Sequence, residues 1–205
     1  MSKIFGVGLN KTGTTSIAKA LEILGFYSVH FQNKKGNIKN IIERNGQKNQ
    51  PLLKEIEEYD AYLDWNHPQT NHYFKKLDHQ YPNSKFILHT RPMEDWINSR
   101  YQHVNSKPNL RKMQKKYPDD PWYNLDIEAW KKEYKEHHTN VKSYFKNRPD
   151  DLLLFDLFAG DGWEQLCSFL DMEDPGISFP VENKADKRIH TLKKASNKLK
   201  AHFKF

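Results

Sequence analysis

The sequence predicts a three-layer α/β sandwich around a central, mostly parallel five-stranded sheet, and three observations carry that prediction. Short apolar runs rich in β-formers alternate with stretches of helical periodicity, as a parallel sheet with crossover helices demands. The first of these runs leads through a glycine-bearing turn straight into a helix. The 205 residues are enough for one domain with a substantial core and too few for two comfortable ones.

Taken in order, "KIFGVG" (residues 3–8) is the first strand. Ile17, Ala20, Leu21 and Leu24 then fall at helical spacing, with Gly25 placed to end the helix. "YSVHF" (27–31), "AYLDW" (61–65), "KFILHT" (85–90) and "LLLFDL" (152–157) supply the other four strands. Residues 126–146 read as a long polar helix with Trp130, Tyr134, Val141 and Phe145 toward the core, His137 and His138 being solvated. The segments 33–50, rich in Asn, Lys and Gly, and 106–122, polar and punctuated by proline, read as loops or short helices over the surface, of the kind that forms lids. No internal repeat is present. The domain is drawn at residues 1–183, with 184–205 as a basic amphipathic helix or tail packed on it through Ile189, Leu192, Leu199 and Phe203.

The net charge of +7 belongs entirely to that tail, whose eight Lys or Arg face one acid, Asp186. The first 183 residues are neutral overall, so charge gives no reason to expect nucleic acid as a partner. A single cysteine, Cys167, forms no internal disulfide and suits a reducing compartment. The start lacks the apolar core of a secretory signal, and no run approaches a membrane span, so the expectation is a cytoplasmic protein.

The first turn carries the chemistry. "GLNKTGTTS" (8–16) has the G-x-x-x-x-G spacing of a phosphate-cradling loop, but Thr14 and Thr15 follow where that pattern continues with Lys and Ser or Thr. The lysine stands inside the loop instead, at Lys11. Gly8 and Gly13 permit a backbone whose N–H groups converge on an anion at a helix N-terminus, with Thr14, Thr15 and Ser16 adding hydroxyls. Triphosphate transfer needs a magnesium ion held by an acid at the end of a neighbouring strand; the fourth strand ends in "LHTR" without one, and only Asp64 of the third could serve. A nucleotide kinase or NTPase with an atypical loop is therefore the second reading, and a non-catalytic nucleotide or polyanion binder the third.

"KTGTTS" followed by "FILHTRPMEDWINSR" resembles the sulfotransferase family that uses 3′-phosphoadenosine 5′-phosphosulfate (PAPS). "DAYLDWNHP", "LLLFDLFAGDGWEQLCSFL" and "FPVEN" resemble its small bacterial and fungal branch, so the likeness spans most of residues 3–183. The resemblance implies a P-loop NTPase-like fold and transfer of a sulfuryl group to a hydroxyl or amine acceptor without a metal, leaving adenosine 3′,5′-bisphosphate (PAP). It assigns Asn10, Lys11, Thr12, Gly13, Thr14, Thr15 and Ser16 to the phosphosulfate, and Arg91 and Ser99 to the 3′-phosphate. A strand-end arginine offers a rigid fork that suits such a phosphate, with an ion pair to Glu94 or Asp95 as the alternative. Lys11 then neutralises the leaving oxygen, and Asp64 or His67 serves as base. Alternation along "AYLDW" puts Tyr62 and Asp64 on one face; capping the next helix or orienting Lys11 is the other use for Asp64. Trp65, Trp96, Tyr101, Trp122 and Tyr123 are candidates for an acceptor pocket, an adenine stack or core. The glycine-rich basic C-terminal motif of the family's cytosolic enzymes is replaced by "NKADKR", which leaves Lys184, Lys187 or Arg188 to close over the 3′-phosphate. The acceptor is a small molecule or glycan; sequence fixes neither its identity nor the oligomeric state.

Overall fold

A computed structural model describes residues 2–106, 110–118 and 120–182. All five predicted strands pair in one parallel sheet: β1 (Ile4–Gly6), β2 (Ser28–His30), β5 (Ala61–Leu63), β6 (Lys85–His89) and β7 (Leu152–Phe155), in the order β2-β5-β1-β6-β7. The first strand is central, Ile4 pairing with Ala61 on one side and with Lys85 on the other. Its C-terminal end therefore lies where neighbouring crossovers diverge, the place open α/β sheets bind ligands.

Strand alternation builds the two outer layers. Phe5, Val7, Tyr62, Phe86 and Leu88 enter one core with Ile38, Ile41 and Ile42 of α2 (Ile38–Gln47), with Phe74 and Leu77 of α3 (Phe74–Gln80), and with Val141 and Phe145. Ile4, Ala61, Leu63, Ile87 and Phe155 enter the other, against Ile17, Ala20 and Leu21 of α1 (Thr14–Ile23) and Leu166 of α7 (Trp163–Leu170). With both faces covered, β1, β5 and β7 are apolar throughout rather than alternating with polar positions, and β6 carries polar residues only at its two ends. α1 ends as its sequence requires. Gly25, at φ 91°, donates to Glu22 O and Phe26 donates to Leu21 O, a Schellman closure that only a residue tolerant of positive φ completes easily.

Helix α6 (Ile127–Tyr144) starts at Asp126, whose carboxylate accepts from Ala129 N. It packs against α4 (Met93–Ser106), and α5 (Leu110–Lys116) follows α4. A small hairpin, β3 (Gln32–Asn33) with β4 (Gly36–Asn37), leads into α2.

Three expectations are corrected. In segment 33–50 the short-helix alternative holds, but the helix packs into the core instead of lying over the surface. Asn37 caps a ten-residue helix by accepting from Lys39 N, and Ile38, Ile41 and Ile42 are buried at helical spacing, a pattern the Asn- and Lys-rich composition hides. His137 and His138 are buried, not solvated: they share the inner face of α6 with Trp130, Tyr134 and Val141. Alternation also stops at the end of β5. Asp64 adopts φ 59°, so Trp65 returns to the core that holds Tyr62, not to that of Leu63. The proposed tail, 184–205, lies outside the described residues.

Candidate functional site

The loop after β1 is held from beneath. Five successive carbonyls, from Val7 to Lys11, each accept a side-chain hydrogen bond. His137 Nε2 lies 2.6 Å from Val7 O, Asn66 Nδ2 donates to Gly8 O at 2.7 Å, and the Thr12 hydroxyl donates to Leu9 O. Trp96 Nε1 donates to Asn10 O at 2.9 Å and Arg91 Nη1 to Lys11 O at 3.3 Å. Drawing the carbonyls inward turns the loop's polar rim toward a cleft. Lys11 (φ 68°) and Gly13 (φ 93°) take the left-handed conformations that close this turn, and α1 begins at once with neither a side-chain cap nor an acid in its first turn.

The floor explains Gly8. A Cβ there would overlap the carbonyl and ring of His89, which is fully buried and meets Thr12 Oγ1 through Nδ1 at 2.6 Å. Burial drives the His89 imidazole down to about 3 and that of His137 down to about 4, so both are neutral supports near pH 7. Gly8→Ala is expected to destabilise by about 1–3 kcal/mol through overpacking, seen as a lower melting temperature, with the anion loop displaced. An unchanged temperature would contradict this close approach.

One cleft of about 1520 Å³ gathers Asn10, Lys11, Gly13, Thr14, Thr15, Ser16, Asp64, His67, Arg91 and Ser99. Of the described residues assigned to the donor or to catalysis, Thr12 alone is off its wall, buried with its hydroxyl tied beneath the loop; among the aromatic candidates, Trp122 and Tyr123 line the cleft, whereas Trp65 and Trp96 are core and Tyr101 is exposed. Two hydroxyls have protein partners as well. Thr14 Oγ1 lies 3.0 Å from His30 Nε2, and Ser16 Oγ accepts from Glu182 N at 2.9 Å, which brings the end of the described chain onto the cleft rim. Lys184, Lys187 and Arg188 lie outside the described residues.

Arg91 departs from an ordinary surface arginine. Its guanidinium lies over the Phe158 ring, 4.0 Å from the centroid, and its buried Nε has no hydrogen-bond partner among the described residues. Asp95 and Asp156 act on it only through space, so the alternative of an ion pair with Glu94 or Asp95 does not hold among the described residues. On α4, Asp95, Ser99 and His103 face the cleft at successive four-residue steps.

Asp64 closes the other side. Burial pushes its carboxyl up to about 7, while Lys11 pulls the other way. His30 Nε2 is 3.7 Å from Asp64 Oδ2, and burial lowers the histidine's own pKa, so a largely neutral ring beside the acid does little to hold it ionised. His67 is also on the wall, but its Nδ1 meets Gln69 Oε1 and its Nε2 lies 3.7 Å from Asp120 Oδ1. Two residues passed over in the sequence belong here. His103, whose Nδ1 is 3.4 Å from Lys11 Nζ, sits one turn beyond Ser99, a spacing that could have found it. His30 had no local signal, because a parallel register between β2 and β5 brings it beside Asp64.

A parallel sheet, a carbonyl-anchored glycine loop at the end of its central strand and a second cationic group across one cleft make up an α/β protein of P-loop-like fold. The family model of the sulfotransferase domain matches residues 3–188, and the chain belongs to that family. Its activity class is accordingly sulfuryl transfer. The chain is also similar to "Ava biosynthesis cluster protein M" of Aspergillus versicolor, at 24% identity over 226 residues, covering 92% of this chain and 84% of that protein. No helix among the described residues is long and apolar enough to cross a membrane.

Proposed function

We propose that this protein transfers the sulfuryl group of PAPS to a hydroxyl or amine of a small-molecule or glycan acceptor, releasing PAP. The observation that carries this reading is Arg91: a buried Nε without a partner among the described residues, on a guanidinium over the Phe158 ring, within the cleft that also holds the glycine loop and Ser99. A second phosphate, set apart from the one at the loop, gives those donors a partner. That is the chemical difference between PAP and a 5′-nucleotide.

The loop from Asn10 to Ser16 would hold the 5′-phosphosulfate, with Lys11 supplying positive charge where the leaving oxygen develops negative charge. Asp64 takes the acceptor's proton in this proposal. It is preferred to His67 because its raised pKa suits a base working near neutrality and because His67 is occupied by Gln69 and Asp120. Transfer is proposed to need no metal, since Lys11 and Arg91 supply the compensating charge, and chelation should leave the rate unchanged. A cytoplasmic location suits a chain with one cysteine.

Thermal shift with PAP, 5′-AMP and ATP tests the donor side: PAP should stabilise most. Arg91→Ala should weaken PAP about 10- to 100-fold, the loss of a charge-assisted hydrogen bond, and remove the preference over 5′-AMP. Equal shifts with PAP and 5′-AMP in the wild type would sink the reading. A magnesium-dependent preference for ATP would favour the kinase or NTPase alternative.

A further inference from the structure

Arg100 is fully buried on α4, one residue after Ser99, yet it is not among the residues lining the cleft. Its guanidinium is enclosed by three tryptophans, with Cζ 4.5 Å from the ring centroids of Trp122 and Trp130 and 5.3 Å from that of Trp96. Nη1 donates to Glu133 Oε2 at 2.6 Å and Nη2 to Pro121 O at 3.1 Å. Burying a charge this deeply is costly unless it is paired and hydrogen-bonded, and replacing such a pair by apolar groups often stabilises a protein. Core packing alone therefore gives little reason for an arginine.

What the arginine holds is unequal. Trp96 and Trp130 are carried by helices, and Trp96 is also fixed by its bond to Asn10 O and by Tyr134, whose ring centroid is 5.5 Å away. Trp122 lies in a non-helical turn whose backbone N–H groups bond only locally, Trp122 N to Asp120 Oδ1 and Tyr123 N to Asp120 O, while Gln114 Nε2 of α5 donates to Tyr123 O at 2.7 Å. Asp120, Trp122 and Tyr123 all line the cleft. The Trp122 ring stands between His67 and His103, at centroid distances of 5.9 and 6.3 Å. The Pro121 carbonyl bond and the stacked Trp122 face together tie this turn to α4.

We infer that Arg100 is a positioning residue: it locks residues 120–123 in place as the aromatic wall of the cleft, keeping water from the space beside Lys11 and His103 where an acceptor is received. The role rests on the proposed sulfuryl transfer for its meaning, though the locking of the wall can be read without it. Arginine is required because only a planar fork reaches Glu133 and Pro121 while stacking on Trp122.

The test compares the full-length wild type with Arg100→Met, which fills the space without charge, and Arg100→Lys, which keeps charge without the fork. Hydrogen exchange should be about tenfold faster at the amides of Asp120, Trp122 and Tyr123 in both variants, with β1 and α1 unchanged. PAP affinity should stay within about twofold, since Arg100 touches neither the loop nor Arg91. Wasteful transfer from PAPS to water should rise about threefold as the wall loosens. In that step the sulfur–oxygen bond to the phosphate breaks, one forms to water oxygen, and sulfate, PAP and two protons result. Exchange that quickens evenly through α4, α6 and the turn, or rescue by lysine, would reduce Arg100 to a core residue and overturn the proposal. If Arg100→Met does not fold, Arg100→Lys and Glu133→Gln carry the same comparison. Failure of the wild type to bind PAP would count against the donor reading, leaving the exchange result to decide the role of Arg100.

Discussion

Asp64→Asn is expected to lower kcat by about 10² to 10⁴, the range a positioned general base contributes, while PAP affinity changes only a few-fold. Asparagine keeps the shape and has no basic oxygen of comparable strength. The pH profile carries the sharper expectation. With the wild-type carboxyl raised to about 7, kcat/KM should climb tenfold per pH unit below that value and level off above it, because only the ionised form accepts a proton. The variant's residual activity should lose this limb. Stability should move the other way. A carboxyl whose folded-state pKa exceeds its unfolded value binds more protons folded than unfolded, so its contribution falls as pH rises from about 4 to about 7. Asp64→Asn should therefore raise the melting temperature at pH 8 and do less at pH 5. An acidic limb that persists unchanged in the variant would remove Asp64 as base and return His67 to consideration.

The strain at this residue fits that trade. Asp64 sits at φ 59° immediately after β5, a conformation aspartate tolerates better than most residues but still disfavours. It places a partly buried carboxylate beside Lys11 and His30 rather than capping a helix. An acid kept protonated near neutrality by burial is poorly suited to a purely structural role and well suited to exchanging a proton.

How much of this was legible follows from what each signal depends on. The five strands were readable because two buried faces demand runs such as "KIFGVG" and "KFILHT", and the loop because its glycines and Lys11 are contiguous. Arg91 and Ser99 share one strand-helix unit, so their pairing was also local. Helix α2 stayed undecided between loop and short surface helix because three isoleucines sit among asparagines and lysines, and composition hid how deeply they are buried. His137 and His138 looked solvated because polar neighbours dominate α6, whereas their partners, Val7 O and Thr90 Oγ1, lie far off in sequence. The face of Asp64 was misread because alternation holds only while the backbone stays extended. His30 reaches Asp64 through β2–β5 register, which no single-segment pattern encodes.

Lys11→Met should reduce kcat by about 10² to 10³, the usual cost of removing one donor from a site where charge develops, with a much smaller change in PAP affinity. Methionine retains most of the stem and leaves the main chain at φ 68°, where Arg91 still donates to its carbonyl, so the ammonium group is the principal loss. Its effect is concentrated in the transition state because a bound phosphosulfate already has the loop's backbone and Arg91, whereas charge on the leaving oxygen appears only as the bond to sulfur breaks. Lys11 also lowers the pKa of Asp64, so its removal should shift the acidic limb of kcat/KM to higher pH as well as lowering the plateau. A purely structural lysine would produce the loss without that shift. His103 Nδ1, 3.4 Å from the ammonium, should remain in place in the variant, and His103→Ala should not reproduce the shift. If Lys11→Met weakens PAP binding as much as it slows turnover, Lys11 belongs to ground-state binding, and the stabilisation of the leaving oxygen must come from elsewhere on the loop.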